Sequence, residues 1–231
     1  MSYLGAGRDW RKRNYLIEPP SGSVCANTGA LNLISDAEFD ARWPGGVITF
    51  EEYAIGTPNP NFTPAQYGAV GLFQPYVRTS SFFNGQAQIG LTISGLPSAP
   101  LALNTDESPG SGIATDSARP TGEQRCLSGT PFLNGPVSMF FTEADGTTPK
   151  PVVGVSINVG FLNNVGSIRV RAYDSLGTLL GTWLNTVVNG FQNFNINRDS
   201  DTPIIAALCI DNLGDIAGFT TSRVRFSNEC A

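Results

Sequence analysis

Apolar and polar residues alternate with a period of two over much of this chain, and this pattern limits its fold more than any other feature. In SIRVRAYD, Ile168, Val170 and Ala172 share one face, and in SRVRFS, Val224 and Phe226 share one face. Successive side chains of a β-strand point to opposite faces of its sheet. The alternation is therefore typical of antiparallel strands that bury one face.

Turn-forming dipeptides separate the alternating stretches. Asn-Gly at 84–85, 134–135 and 189–190 and Asp-Gly at 145–146 supply the positive φ angles that hairpins require. PIIAALCI is apolar throughout and predicts a central strand covered on both faces. The segments predicted as strands are 47–53, 67–77, 86–94, 136–142, 151–161, 167–174, 177–184, 188–197, 203–210 and 222–227. Roughly ten such strands predict an all-β fold, a two-sheet antiparallel β-sandwich or jelly roll.

Three segments depart from the strand pattern. SDAEFDARWP contains Ser35 and Glu38, the residues of a capping box, and a proline that stops a helix, and so predicts one short helix. Residues 1–24 predict an extended N-terminal arm, and residues 25–231 predict a single β-sandwich domain. Within that domain, 95–131 is too polar and too broken for regular strands, so we expect a long loop insertion.

The charge balance argues against nucleic acid as a partner of the whole domain. The net charge is −5 and only two lysines are present, whereas nucleic-acid binding normally needs a cationic face. The basic part of the arm is the exception, and it is either a solvated terminus or an interaction arm for nucleic acid or an acidic protein surface. Its residues are Arg8, Trp10, Arg11, Lys12 and Arg13.

No stretch of the sequence reaches transmembrane length, and the first residues lack the apolar core of a signal peptide. We therefore expect no membrane partner.

The chain contains no histidine, which restricts its chemistry. Histidine is the usual base of Ser-His and Cys-His nucleophile systems and a common zinc ligand, so these classes are excluded. Catalysis by two carboxylates, as in glycosidases, needs no histidine, but nothing in the spacing of the acids selects a pair. We expect no enzymatic activity.

The four cysteines, Cys25, Cys126, Cys209 and Cys230, form no CxxC pair. Two disulfides are one interpretation: Cys209 and Cys230 could meet if the last two strands form a hairpin, which would leave Cys25 for Cys126. Buried free thiols are the other interpretation.

Calcium is the cofactor that the acidic residues most favour. Asp211 and Asp215 lie four residues apart in DNLGDIAG, a glycine-containing loop that could supply carboxylate and carbonyl oxygens. A solvated loop without an ion is the alternative.

Three stretches resemble β-sandwich domains of secreted bacterial surface proteins of the PEP-CTERM type: ITFEEYAIGTPNPNFTPAQYG, VRAYDSLGTLLGT and PIIAALCIDN. The resemblance implies a jelly-roll-like, mostly non-enzymatic adhesive or glycan-binding module. In related carbohydrate-binding jelly rolls a glutamate on the first strand helps to hold a structural calcium, which implies this role for Glu51. By alternation, Ile48, Phe50 and Glu52 are expected to share the core face of that strand, with Glu51 accessible.

Two functions follow from these observations. The first is a structural or assembly protein that binds subunits of its own or a neighbouring type, most concretely a phage virion surface or decoration protein in a virion or extracellular setting. The alternative is a calcium-stabilised carbohydrate-binding module. Exposed aromatic rings would then bind the glycan, although core packing is the ordinary role of aromatics in a sandwich. The candidates are Trp43, Tyr53, Tyr76 and Trp183.

Overall fold

The computed structural model describes residues 28–43, 45–68, 74–104, 111–115, 125–129 and 133–228, with only the backbone described at 111–115. These residues form one helix and thirteen strands. In chain order the elements are β1 (Leu31–Leu33), α1 (Asp36–Arg42), β2 (Tyr76–Ser80), β3 (Gln86–Ile89), β4 (Thr92–Gly95), β5 (Ser111–Thr115), β6 (Arg125–Gly129), β7 (Val137–Thr142), β8 (Gly154–Leu162), β9 (Ile168–Tyr173), β10 (Leu179–Leu184), β11 (Gly190–Arg198), β12 (Ala207–Asn212) and β13 (Thr220–Ser227).

Two large antiparallel sheets make up the fold. The first has six strands in the order β1-β11-β8-β13-β6-β5, and the second has five in the order β10-β9-β12-β7-β2. The hairpin of β3 and β4 forms a small third sheet. The all-β sandwich predicted from the alternation is confirmed. Among the described residues, no helix is long and apolar enough to cross a membrane.

The main core lies between the two large sheets. Val155 and Ile157 of β8 belong to the same buried cluster as Val170 of β9 and Leu208 and Ile210 of β12. The predicted core faces of β9 and β13 are also confirmed, because the members of those faces are buried: Ile168, Val170, Ala172, Val224 and Phe226. Burial of these faces is what holds the two sheets together.

A second apolar cluster covers the outer face of the five-stranded sheet. Phe83, Ile93 and Leu101, from the β3–β4 hairpin and its flanking loops, pack with Tyr173 of β9 and Cys209 of β12. Since β12 is the middle strand of this sheet, the prediction that PIIAALCI is covered on both faces is confirmed.

The short helix forms as predicted. The hydroxyl oxygen of Ser35 accepts a hydrogen bond from the Glu38 amide at 3.2 Å, and the Glu38 carboxylate accepts one from the Ser35 amide at 2.8 Å. This reciprocal pair satisfies two amides that a helix start leaves without partners. Phe39 is fully buried and anchors α1 to the protein.

Three strand predictions are wrong in detail, those for 47–53, 67–77 and 86–94. Residues 47–53 make only one isolated bridge, from Ile48 to Val224, and Phe50 adopts a left-handed φ of 66° that turns the chain. Of the three residues predicted to share the core face there, Ile48 and Phe50 are fully buried and Glu52 is half-buried. Residues 86–94 form a hairpin rather than one strand, because the chain turns at Gly90, whose φ is 62°.

The segment 95–131 is not a loop throughout, because it contains β5 and β6. These strands extend the edge of the six-stranded sheet: β5 pairs with β6, and β6 pairs with β13. Strands pair through backbone hydrogen bonds, so an edge strand can be polar and rich in glycine. A prediction based on hydrophobic alternation does not detect such a strand. The strand predicted at 67–77 starts only at Tyr76, as β2, and residues 69–73 lie outside the described residues. The predicted arm, 1–24, also lies outside them.

Candidate ligand-binding groove

Polar side chains form two rows across the outer face of the six-stranded sheet. The first row joins Asn193 of β11, Asn158 of β8 and Ser222 of β13, which lie opposite one another in the strand register. The Asn158 amide nitrogen donates to the Asn193 side-chain oxygen at 2.7 Å, and the Ser222 hydroxyl donates to the Asn158 side-chain oxygen at 2.9 Å.

The second row joins Asn195, Ser156 and Arg225, and it lies two residues further along β11 and β8 and three further along β13. The Ser156 hydroxyl donates to the Asn195 side-chain oxygen at 2.7 Å, and Arg225 Nη2 donates to the Ser156 hydroxyl at 3.3 Å. We call the two sets together the polar rows. Their core-facing neighbours, such as Ile157 and Phe194, fix the sheet from below.

Helix α1 borders the polar rows and is bonded to them. Asp36 Oδ1 accepts hydrogen bonds from Asn193 Nδ2 at 2.9 Å and from Asn195 Nδ2 at 2.7 Å. Further along the helix, the Asp40 carboxylate forms an ion pair with Arg225. The capping box therefore has a consequence for the site, since it holds the helix that positions both aspartates.

Trp43 follows the helix and adds an aromatic ring. The Arg225 guanidinium lies 5.2 Å from the centroid of the Trp43 ring and 5.2 Å from that of Phe39, in cation–π contacts. The Trp43 indole nitrogen donates to the Gly46 carbonyl oxygen at 3.0 Å. These contacts fix the orientation of the ring.

A groove runs over the polar rows beside α1. One cavity of about 540 Å³ is lined by Asp36, Phe191, Asn193 and Arg223, among other residues. A second, of about 310 Å³, is lined by Trp43 and shares Asp36, Asn193 and Arg223 with the first, so the two cavities adjoin and are together called the groove. Its size lies in the range of small-molecule and sugar sites.

Arg223 lines the groove and lies at a β-bulge that the alternation did not predict. The pairing of β13 with β8 shifts between Ser222 and Val224, and Arg223 takes a left-handed φ of 49°. Bulges often re-aim a side chain beside a binding site. Arg223 is exposed, whereas Arg225, expected on the same face, is half-buried beneath α1.

Of the four aromatic residues predicted to bind glycan, the structure brings Trp43 to the groove and places the other three elsewhere. The Tyr53 ring contacts Phe62 at 5.3 Å between centroids, and its hydroxyl donates to the Asn61 carbonyl. Trp183, on β10, is half-buried against the main core, and Tyr76 is half-buried on β2, an edge strand of the five-stranded sheet.

The carboxylates predicted to bind calcium are engaged by protein groups. Asp211 is fully buried and pairs with Arg169 at 2.6 Å and Arg171 at 3.3 Å. Glu51 is exposed and pairs with Arg125 at 3.3 Å. Within the described residues, no three Asp, Glu, Cys or His side chains are grouped closely enough to hold a metal ion. The calcium site stays a prediction, and an ion there would have to displace these partners.

Asp215, the third predicted ligand, instead ties two loops together. Its carboxylate accepts hydrogen bonds from the Asn163 amide at 2.8 Å, the Ser167 hydroxyl at 3.2 Å and the Ala217 amide at 3.1 Å. Burial alone would raise the pKa of Asp215, but these hydrogen bonds stabilise the ionised form and hold its pKa below the ordinary value of 3.8.

The two described cysteines are buried. Cys209 is a free thiol that accepts a hydrogen bond from Arg171, and burial raises its pKa to about 11 even though Arg171 acts in the opposite direction. The hairpin expected to bring Cys209 to Cys230 does not form, because β12 and β13 belong to different sheets. Cys25, Cys230 and the basic arm lie outside the described residues.

No protein-family model matches this chain, and no curated protein matches it significantly. Among solved structures, the enzymatically active domain of tailspike protein 4 of Bacteriophage CBA120 matches 51% of this chain and 17% of its own length. The two are 14% identical in sequence, with a TM-score of 0.28. A similarity this weak carries no conclusion about what this chain binds or does.

Proposed function

We propose that this protein is a non-enzymatic carbohydrate-binding module whose ligand lies in the groove. The observation that carries the proposal is that five of the six polar-row side chains line the groove together with Trp43. Sugars present closely spaced hydroxyl groups and apolar ring faces. They are therefore suited by side-chain amides, which both donate and accept hydrogen bonds, beside an accessible aromatic ring.

Hydrogen bonds within the protein fix the side chains of the polar rows, which favours binding. Cross-strand hydrogen bonds of 2.7 Å hold Asn193 to Asn158 and Asn195 to Ser156, and Asp36 holds both Asn193 and Asn195 from the helix side. Asn193 is exposed and Asn158 half-buried, so a ligand meets side-chain amides that need no further ordering, and less conformational entropy is lost on binding.

The partners of the two groove carboxylates favour binding over hydrolysis. Asp36 accepts from two asparagine amides and Asp40 pairs with Arg225. A glycosidase requires one carboxyl group that protonates the leaving group and a second that acts as nucleophile or base. Both aspartates instead hold other side chains of the groove in place.

The proposal is tested by affinity electrophoresis of the purified chain through gels that contain a soluble β-glucan, a xylan, a galactomannan, a dextran or a uronic-acid polymer. We expect at least one polymer to retard the wild-type chain. Trp43→Ala and Asn193→Ala should each weaken that retardation roughly tenfold, the value of one or two lost contacts. Gln88→Ala, an amide on the β3–β4 hairpin, is the matched control and should bind as the wild type does.

Lack of retardation in every gel would contradict the proposal, as would equal retardation of the wild type, Trp43→Ala and Asn193→Ala. Repeating the gels with a chelator tests the calcium prediction at Glu51, Asp211 and Asp215, since a calcium-stabilised module should lose its binding. Release of reducing ends from any polymer would show that the protein hydrolyses the glycan, which would contradict a non-enzymatic role.

A structural or assembly protein, such as a virion surface or decoration protein, is the second candidate. A group of exposed aliphatic side chains at one end of the sandwich favours it, because such groups commonly mark protein contacts. Light scattering of the purified chain with rising concentration tests this role. An assembly protein is expected to grow in mass as its concentration rises, and a mass that stays at 24.5 kDa would contradict this role.

A further inference from the structure

One end of the sandwich carries six exposed aliphatic side chains. They lie in or beside three loops, 163–167, 185–189 and 213–219, which connect β8 to β9, β10 to β11 and β12 to β13. We call this surface the loop end. Its exposed members are Val165, Leu184, Val187, Val188, Leu213 and Ile216, and Ile216 is 90% exposed.

Buried polar side chains bond the three loops into one surface. Asn185 is buried, and its Nδ2 donates to the Asn164 carbonyl at 2.7 Å, while its own carbonyl accepts from the Gly166 amide at 2.9 Å. The Leu213 amide donates to the Ser167 carbonyl at 2.6 Å. With Asp215 holding Asn163 and Ser167, the aliphatic side chains stand on loops that are already ordered.

The loop end presents no charged side chain to solvent. Asp215 is the single charged residue in the three loops, and it is fully buried. The whole chain nevertheless carries a net charge of −5, so two copies repel one another over much of their surface. The loop end is where two copies can meet without placing like charges together.

The exposed area also fits a contact between identical copies. From their exposed fractions, the six side chains present on the order of 500 Å² of apolar surface. A standard interface buries about 800 Å² per partner, of which about 65% is apolar in homodimers, or roughly 500 Å². An uncharged apolar surface is complementary to itself, as a two-fold contact requires.

We infer that the loop end binds a second copy of this chain and closes a two-fold dimer. The inference rests on the assembly role proposed above and gives it a specific partner. Val187 belongs to the loop end and also lines the larger cavity of the groove. The dimer therefore places the two grooves next to one another, so that a ligand longer than one groove can occupy both.

The test is sedimentation equilibrium of the full chain between about 1 and 100 μM, the range of moderate homodimers. We expect the wild type to approach twice the 24.5 kDa of one chain, and Ile216→Asp and Leu213→Asp to remain at the mass of one chain. Leu176→Asp is the control: Leu176 is 61% exposed in the turn at the other end of β9, and its variant should dimerise like the wild type.

A wild type that stays monomeric at 100 μM overturns the inference, and so does a dimer that Ile216→Asp and Leu213→Asp leave intact. Larger open assemblies that Ile216→Asp disrupts overturn the closed dimer but leave the assembly role standing. Unchanged thermal unfolding of Ile216→Asp, expected for a side chain this exposed, separates loss of the contact from loss of the fold. Association with neutral phosphatidylcholine vesicles that Ile216→Asp abolishes would assign the loop end to lipid instead.

Discussion

At the scale of single residues, Asp211 and Asp215 show that the role of a carboxylate depends on the groups around it in the fold and not on its neighbours in the sequence. Asp211 and Asp215 lie in the same DNLGDIAG stretch and were predicted as equivalent calcium ligands. The structure gives Asp211 two arginine partners on the outer face of a sheet, whereas Asp215 bonds loop amides and a hydroxyl. Apart from the Ala217 amide next to Asp215, these partners come from distant elements, so they do not follow from spacing along the chain.

Removal of the Asp211 charge is expected to destabilise the protein strongly. In Asp211→Asn, the Arg171 guanidinium, 9% exposed, loses its carboxylate partner, and an uncompensated buried charge costs about 3 kcal/mol. Urea unfolding measures this loss. Glu51→Gln is the control, because the Glu51–Arg125 pair is well exposed and should be worth less than about 1 kcal/mol. Equal losses of unfolding free energy in the two variants would show that burial does not increase the contribution of the Asp211 ion pairs.

Asp215 should make stability depend on pH in the acid range. Its pKa in the folded protein lies below the ordinary value of 3.8, so the carboxylate stabilises the fold above about pH 4, and this contribution is lost as the pH falls through the lowered pKa. The free energy of unfolding should therefore differ between wild type and Asp215→Asn near pH 6, and the difference should shrink at about pH 2. A difference that is the same at both pH values would contradict this account.

At the scale of elements, helix α1 links local sequence to the groove. The capping box fixes its first turn, Phe39 anchors it, and Asp36 and Asp40 then bond the polar rows and Arg225. Arg223, at the β-bulge of β13, also lines the groove. The helix was readable from the sequence because capping is local, while the bulge was not, because it depends on the pairing of β13 with β8.

Ser35→Ala tests the link between the helix and the groove. Loss of the cap should lower the free energy of unfolding by about 1 kcal/mol and should also weaken glycan retardation several-fold, since Asp36 follows the cap directly. Thr63→Ala is the matched control: the Thr63 hydroxyl accepts a similar bond from the Gln66 amide at 3.3 Å, away from the groove. It should reduce stability without changing retardation. Equal effects of the two variants on glycan retardation would show that the helix cap does not position the groove.

At the scale of the whole molecule, sequence alternation predicted the sandwich and the inner faces of β9 and β13, because a buried face must be apolar wherever the strand lies. It could not predict what covers the outer faces. Arg169 and Arg171 look like solvent-facing residues of β9, yet the β3–β4 hairpin packs over that sheet.

The groove residues could not be predicted either. Nothing in the sequence marks Asn158, Asn193 and Asn195, and only the strand register aligns them beneath α1. Trp43 was found by residue type, but its place in the groove depends on the fold.

The central claim is that the groove over the polar rows binds sugar. The most direct test is NMR titration of the ¹⁵N-labelled chain with an oligosaccharide of the polymer that retards it most. The account predicts saturable shifts of the Trp43 indole signal and of the Asn193 and Asn195 side-chain amides, with the Gln88 amide unmoved. Signals that shift at the β3–β4 hairpin or elsewhere, while these three groups stay unshifted, would contradict it.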